Sequence, residues 1–183
     1  MIMWTRVVNV IFLGCLGYWS SAYAEQQVNC KPDNLVASTP TTRFILNADA
    51  TVTDLKTRLM WKQCPEGLSG DSCSEGSVDT AFWDVFLRSI EISNSGEGFA
   101  GFNDWRMPNV KELRSIIEAQ CYRPAVNLAV FPNTPIVSFF TSTPVKDVFR
   151  DNIWTVEFIH GRVEAKRLNF SASLRLVRNV DAE

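Results

Sequence analysis

The sequence predicts an α+β domain: two helices packed on antiparallel sheet, irregular Pro-rich loops and two disulfides. Three observations predict it. Two segments with helical apolar spacing lie between strand-like runs near both ends of the chain. Cys30, Cys64, Cys73 and Cys121 follow an export-type leader, and an even cysteine count in an exported chain implies disulfides. Pro124, Pro132, Pro135 and Pro144 interrupt the segment between the second helix and the last strands, which must therefore be extended or irregular.

Residues 1–24 read as a signal peptide. Arg6 gives the positive region, Val7 to Trp19 the apolar stretch, and Ala22-Tyr23-Ala24 the small-residue cleavage site. That stretch is shorter than the roughly 20 residues of a membrane-spanning helix. No stable membrane span is expected after cleavage. Residues 25–42 are a polar lead pinned by Cys30, and residues 43–180 form the domain.

Arg43 to Leu46, Thr51 to Asp54 and Leu59 to Lys62 read as strands, the last two joined by the polar turn Leu55-Lys56-Thr57-Arg58. From Val78 to Ile92, the side chains Val78, Phe82, Val85, Phe86 and Ile90 fall on one helical face. Asn94-Ser95-Gly96 ends that helix. Asn109 caps a second helix, with Glu112 three residues on as the return arm of a capping box. Its buried stripe is Val110, Leu113, Ile116 and Ile117, and it runs to near Cys121. Ile153 to Ile159 and Arg162 to Leu168 form a hairpin about a two-residue His160-Gly161 turn, with Trp154, Val156, Phe158, Val163 and Ala165 facing in. Ser173 to Val177 is the last strand. Early and late strands are expected to share a sheet.

Three disulfide pairings are possible. A local Cys64–Cys73 bridge would hold the polar loop between them, which leaves Cys30–Cys121 to tie the lead to the middle of the domain. Cleavage removes Arg6, so the mature segment has 17 Lys+Arg against 20 Asp+Glu, a net of −3. No basic block exists, so nucleic acid is not an expected partner. With no Cys-x-x-Cys pair and one histidine, no zinc site is expected.

Six short motifs stand in a fixed order along the chain. Thr51-Val52-Thr53-Asp54 with Leu59-Met60-Trp61 comes first. Gly101-Phe102-Asn103-Asp104-Trp105-Arg106-Met107-Pro108-Asn109-Val110-Lys111-Glu112-Leu113 is the central motif. Phe131-Pro132-Asn133-Thr134-Pro135, Phe140-Thr141-Ser142-Thr143, Trp154-Thr155-Val156-Glu157-Phe158 and Leu174-Arg175-Leu176-Val177-Arg178 complete the set. In this order they resemble the Lcl C-terminal domain family, named after a collagen-like bacterial adhesin, and the resemblance covers roughly residues 43–178. It implies a C-type-lectin-like fold and an exported, adhesin-like role in bacteria. It also implies a trimer binding sulfated glycans, which the acidic charge and the missing collagen repeat oppose here.

Asp104, Trp105 and Arg106 form the first candidate site: a Trp face stacks on a sugar ring, and Asp and Arg bond its hydroxyls. The competing reading puts Trp105 in the core with Asp104 and Arg106 paired internally. Arg162, Lys166, Arg167 and Arg175 form the second candidate, an anion-binding patch competing with a solvated sheet face. Asn103-Asp104 is similar to a lectin calcium pair, but Phe131-Pro132-Asn133 puts an aromatic where its companion carboxylate belongs, so no metal or cofactor is expected. His160 in a turn, with every mature cysteine bridged, supplies no catalytic pair, so no enzyme activity is expected. The expected role is an exported, non-enzymatic recognition domain, periplasmic or extracellular, with a glycan or cell-envelope protein as partner and homo-oligomerisation left open. The alternative is a structural or accessory subunit of a surface assembly such as a pilus.

Overall fold

The computed structural model describes residues 29–31, 33, 35–146 and 151–180. The leader lies outside them. The fold is α+β with antiparallel sheets and both expected disulfides, Cys30–Cys121 and Cys64–Cys73.

A four-stranded sheet is built from β2 (Phe44–Leu46), β3 (Thr51–Asp54), β4 (Leu59–Lys62) and β11 (Val177–Asn179), in the order β11-β4-β3-β2. Early and late strands therefore do share a sheet: Val177 pairs with Trp61 and Asn179 with Leu59. A three-stranded sheet, β10-β9-β8, uses β8 (Ser138–Pro144), β9 (Asn152–Glu157) and β10 (Arg162–Arg167). Two short ladders complete the set. One joins β1 (Asn29–Cys30) to β7 (Cys121–Tyr122), and the other joins β5 (Leu68–Ser69) to β6 (Glu75–Gly76).

Successive strand residues point to opposite faces. Phe139 of β8 accordingly enters one core, with Trp61, Leu113, Phe131, Val156 and Val177, while Phe140 enters another, with Phe86, Trp105, Ile153 and Leu176. The first core fills the space between the two sheets and helix α2 (Val110–Ser115); the second lies under helix α1 (Trp83–Ser95).

Helix α1 begins later than its apolar spacing suggests. The amides of Ser77 and Asp79 donate to the carbonyls of Gly67 and Glu66, and Ala81 exchanges two hydrogen bonds with Ala172. The Ala81 carbonyl, which a longer helix would offer to the Val85 amide, is taken by the Ala172 amide, so the helical bonds begin at the Phe82 carbonyl. The inward face also differs. Trp83, Phe86 and Ile90 pack on the core, whereas Phe82 and Val85 are 51% and 46% exposed.

Helix α2 has its capping box in place: Asn109 Oδ1 accepts from the Lys111 and Glu112 amides, and Glu112 Oε2 accepts from the Asn109 amide at 2.7 Å. It stops at Ser115, short of Cys121, because the Glu118 amide turns away to the Ala125 carbonyl. The hairpin turn has four residues, not two, since Arg162 pairs with Glu157 and the Gly161 amide bonds the Glu157 carbonyl. Ala165 is exposed on the outer strand of its sheet, not buried.

The last strand lies at residues 177–179, not 173–177. Residues 172–176 are a stitched crossover: Ser173 exchanges bonds with β8, while the carbonyls of Leu174 and Leu176 accept from Glu66 and Lys62.

Two buried carboxylates fix the lead and the first sheet. Glu118 accepts from the amides of Ser38, Thr39 and Gln120 and from both hydroxyls. Asp54 accepts from Arg43 Nε at 2.7 Å, from Arg43 Nη2, from Thr57 Oγ1 and from the Lys56 amide. Burial pushes each carboxyl up. Arg43 and Thr57 with the Lys56 amide at Asp54, and the Gln120, Ser38 and Thr39 donors at Glu118, outweigh it and hold both below their ordinary values of 3.8 and 4.5. The native state thus binds fewer protons than the unfolded chain in mild acid. This stability is present above the ordinary values and is lost as pH falls through the lowered ones. The denaturant midpoint should drop between about pH 5 and pH 3. Glu118→Gln should flatten part of that drop; an unchanged acid profile in the variant rules Glu118 out as a contributor.

Candidate functional site

The Asp104-Trp105-Arg106 motif sits on a loop whose shape is set by glycine. Ala100 and Gly101 both have positive φ, the two-residue turn that matches strand twist, and Phe99 and Phe102 exchange backbone bonds across it. A Cβ on Gly98 would meet the Phe102 carbonyl oxygen at 1.9 Å.

The loop holds all three candidate side chains by internal contacts. Asp104 accepts from Arg178 Nε at 2.6 Å, and the Arg178 guanidinium lies 3.9 Å from the Phe102 ring centre. Trp105 is 1% exposed; its Nε1 donates to the Phe99 carbonyl at 2.9 Å, and its ring meets Phe99 edge-on. Arg106 makes a two-pronged pair with Glu112 at 2.8 and 2.9 Å and donates to Asn179 Oδ1. The motif therefore clips α2 and β11 to the second core. Trp105 offers no face to a ligand. Glu112, which the sequence marked only as a cap, serves Asn109 and Arg106 together.

The four basic residues of the second candidate do not come together. Directly paired strand residues share a face. Arg162 and Lys166 therefore lie on the Glu157 and Ile153 side of the sheet, and Arg167 lies on the Asn152 side. Lys166 Nζ is 2.8 Å from Glu164 Oε2 and sits over the Phe170 ring.

Arg175 is fully buried in another part of the molecule. It donates to Thr134 Oγ1 at 2.7 Å and to the carbonyls of Lys62 and Gln63, and it stacks on Phe131. Burial lowers its pKa to about 9, opposed by the Glu66 charge, which leaves it a cation at neutral pH. It is a core fastener and lies outside any surface patch.

One cleft has the properties the motif loop lacks. It is about 320 Å³, at the lower end of small-ligand pockets, and Trp83, Ser142, Pro144, Asp151, Asn152 and Leu168 line it. Trp83 is half-buried, and its indole Nε1 is tethered to the Thr141 carbonyl at 3.0 Å. The backbone around it is pinned: the Ser142 amide donates to Pro108, the Leu168 amide to Asp151 and the Val145 amide to Asn152. Among the described residues, no hydrogen bond or ion pair engages the Ser142 hydroxyl or the Asp151 carboxylate. Trp83 comes from α1, Ser142 from β8 and Asp151 from the residue ahead of β9, so no local spacing announces them.

Among the described residues, no group of three or more His, Cys, Asp or Glu is placed to hold a metal ion, and no helix is long and apolar enough to cross a membrane. His160 is half-exposed, with Nδ1 3.6 Å from Glu157 Oε1. A family model described as the Lcl C-terminal domain matches residues 50–178. No curated protein matches the chain.

Proposed function

This chain belongs to the Lcl C-terminal domain family, and we propose that it is an exported, surface-associated recognition domain with no catalytic activity of its own. The partner is a glycan or a cell-envelope component, and the lectin-like label belongs to this reading. One observation carries it. The Trp83 cleft is preformed and keeps polar side chains unspent, while the conspicuous Asp104, Trp105, Arg106 and Arg175 are consumed in holding the fold. The two disulfides fit an oxidising compartment, periplasmic or extracellular.

The subunit alternative has its own support. Phe82, Val85 and Ile92 fall along one outward stripe of α1, a face suited to a protein neighbour. A glycan array run on the oxidised chain, with and without calcium and at low and moderate salt, tests the proposal. Binding that survives moderate salt is expected. A blank array joined to stable co-purification with a neighbouring subunit would transfer the assignment to the second reading.

A further inference from the structure

We infer that the Trp83 cleft takes one uncharged pyranose ring, a reading that rests on the recognition role proposed above. The chemistry of the walls leads there. A tethered indole is a rigid apolar platform, and a sugar ring presents a face of C–H groups that packs on such a surface. Leu168 and Pro144 extend the apolar wall.

Ser142 supplies a hydroxyl that donates and accepts, and Asp151 supplies a carboxylate that accepts from two neighbouring hydroxyls at once. Among the described residues neither side chain has an internal bond to break, and the backbone bonds to Pro108 and Leu168 keep both in place. Little ordering cost is left to offset the contacts.

The charge selects the class. Asp151 in the cleft wall repels a sulfate or carboxylate on the ligand. Lys166, on the same face of the sheet as Ile153, is engaged by Glu164 and Phe170 and does not offset that charge. A peptide strand fits less well, because the Val145 and Leu168 amides at the cleft are already bonded to the Asn152 and Asp151 carbonyls and leave it little to pair with.

The test is nitrogen-detected NMR on the full oxidised chain, following the indole N–H signals. Trp83→Phe identifies the Trp83 signal by its disappearance. The probes are methyl α-D-glucopyranoside, methyl β-D-galactopyranoside and N-acetylglucosamine at up to about 50 mM, with a heparin hexasaccharide as the sulfated comparison, since single-ring affinities lie near the millimolar range.

At least one neutral sugar should shift the Trp83 indole and saturate, and the heparin probe should leave it in place. Asp151→Ala, which removes no hydrogen bond or ion pair among the described residues, should keep the spectrum of the fold and weaken binding about tenfold. Arg162→Ala, remote on the sheet, should bind like the parent.

Three results overturn the inference. One is a Trp83 indole that no neutral sugar moves. Another is equal affinity in Asp151→Ala. The third is a stronger response to heparin than to every neutral sugar. Array binding that persists in Asp151→Ala and Trp83→Phe would discard the cleft yet keep the recognition role. A blank array with an unmoved indole would discard both.

Discussion

Asp54→Ala should lower the unfolding free energy by about 3–5 kcal/mol, the cost of stranding one partner of a buried ion pair. Asp54 has no exposed side-chain surface, and Arg43 has almost none. Among the described residues, the guanidinium that remains keeps the Ser38 and Ser115 carbonyls and the Phe44 ring, with no counter-charge. The Lys56 amide and Thr57 hydroxyl lose their acceptor in the same step, so the turn between β3 and β4 loosens as well. Urea denaturation measures the loss. A double variant, Arg43→Met with Asp54→Ala, should recover part of it, because no charge is then left buried. A single-variant loss below about 1 kcal/mol would mean the pair is solvated and behaves as a surface bridge.

Trp105→Ala should cost a similar amount, about 3–5 kcal/mol, for a different reason. The indole fills the second core between Phe86, Met107, Phe140 and Leu176, and the truncated site has little freedom to collapse against two sheets. Trp105→Phe keeps most of the volume and gives up the bond to the Phe99 carbonyl, a loss nearer 1 kcal/mol. The distinction has practical force. Ligand binding will fall in Trp105→Ala preparations because less protein is folded. Binding measured per folded molecule should match the parent, and a true per-molecule loss would return Trp105 to the ligand site.

Features whose cause is local could be read from the sequence. Asn109 and Glu112 are three apart, so both halves of the capping box are visible in one glance and both form. The alternating runs at 44–46, 51–54 and 59–62 form strands where their spacing puts them. Features whose cause lies far along the chain could not. Periodicity from Val78 onward says helix, yet both backbone groups of Ala81 answer to Ala172, far along the chain.

Arg175 lies in a stretch that reads as a half-exposed strand. Only the three-dimensional meeting of Lys62, Gln63, Phe131 and Thr134 shows that its guanidinium is enclosed. The cleft is the extreme case, because Trp83, Ser142 and Asp151 share no local pattern and meet only when α1 and the β8–β9 hairpin are set side by side. The motif that draws the eye, Asp104-Trp105-Arg106, was legible as a constellation. Its partners Arg178, Glu112 and Asn179 make it a fastener.

The crossover of residues 172–179 has a consequence for how the chain is made. It bonds first to β8, then reaches β4 across more than a hundred residues of sequence. Synthesis runs from the N-terminus, so β4 and β8 both exist before the segment that joins them. Until it arrives, β4 presents an unpaired edge, an open template for aggregation. Loop-closure entropy of that span also slows the final step, as it does in domains dominated by distant strand pairings. Any holdase or translocation machinery that keeps this chain from misassembling must act until residues 172–179 have been delivered; the domain closes from its last segment backward.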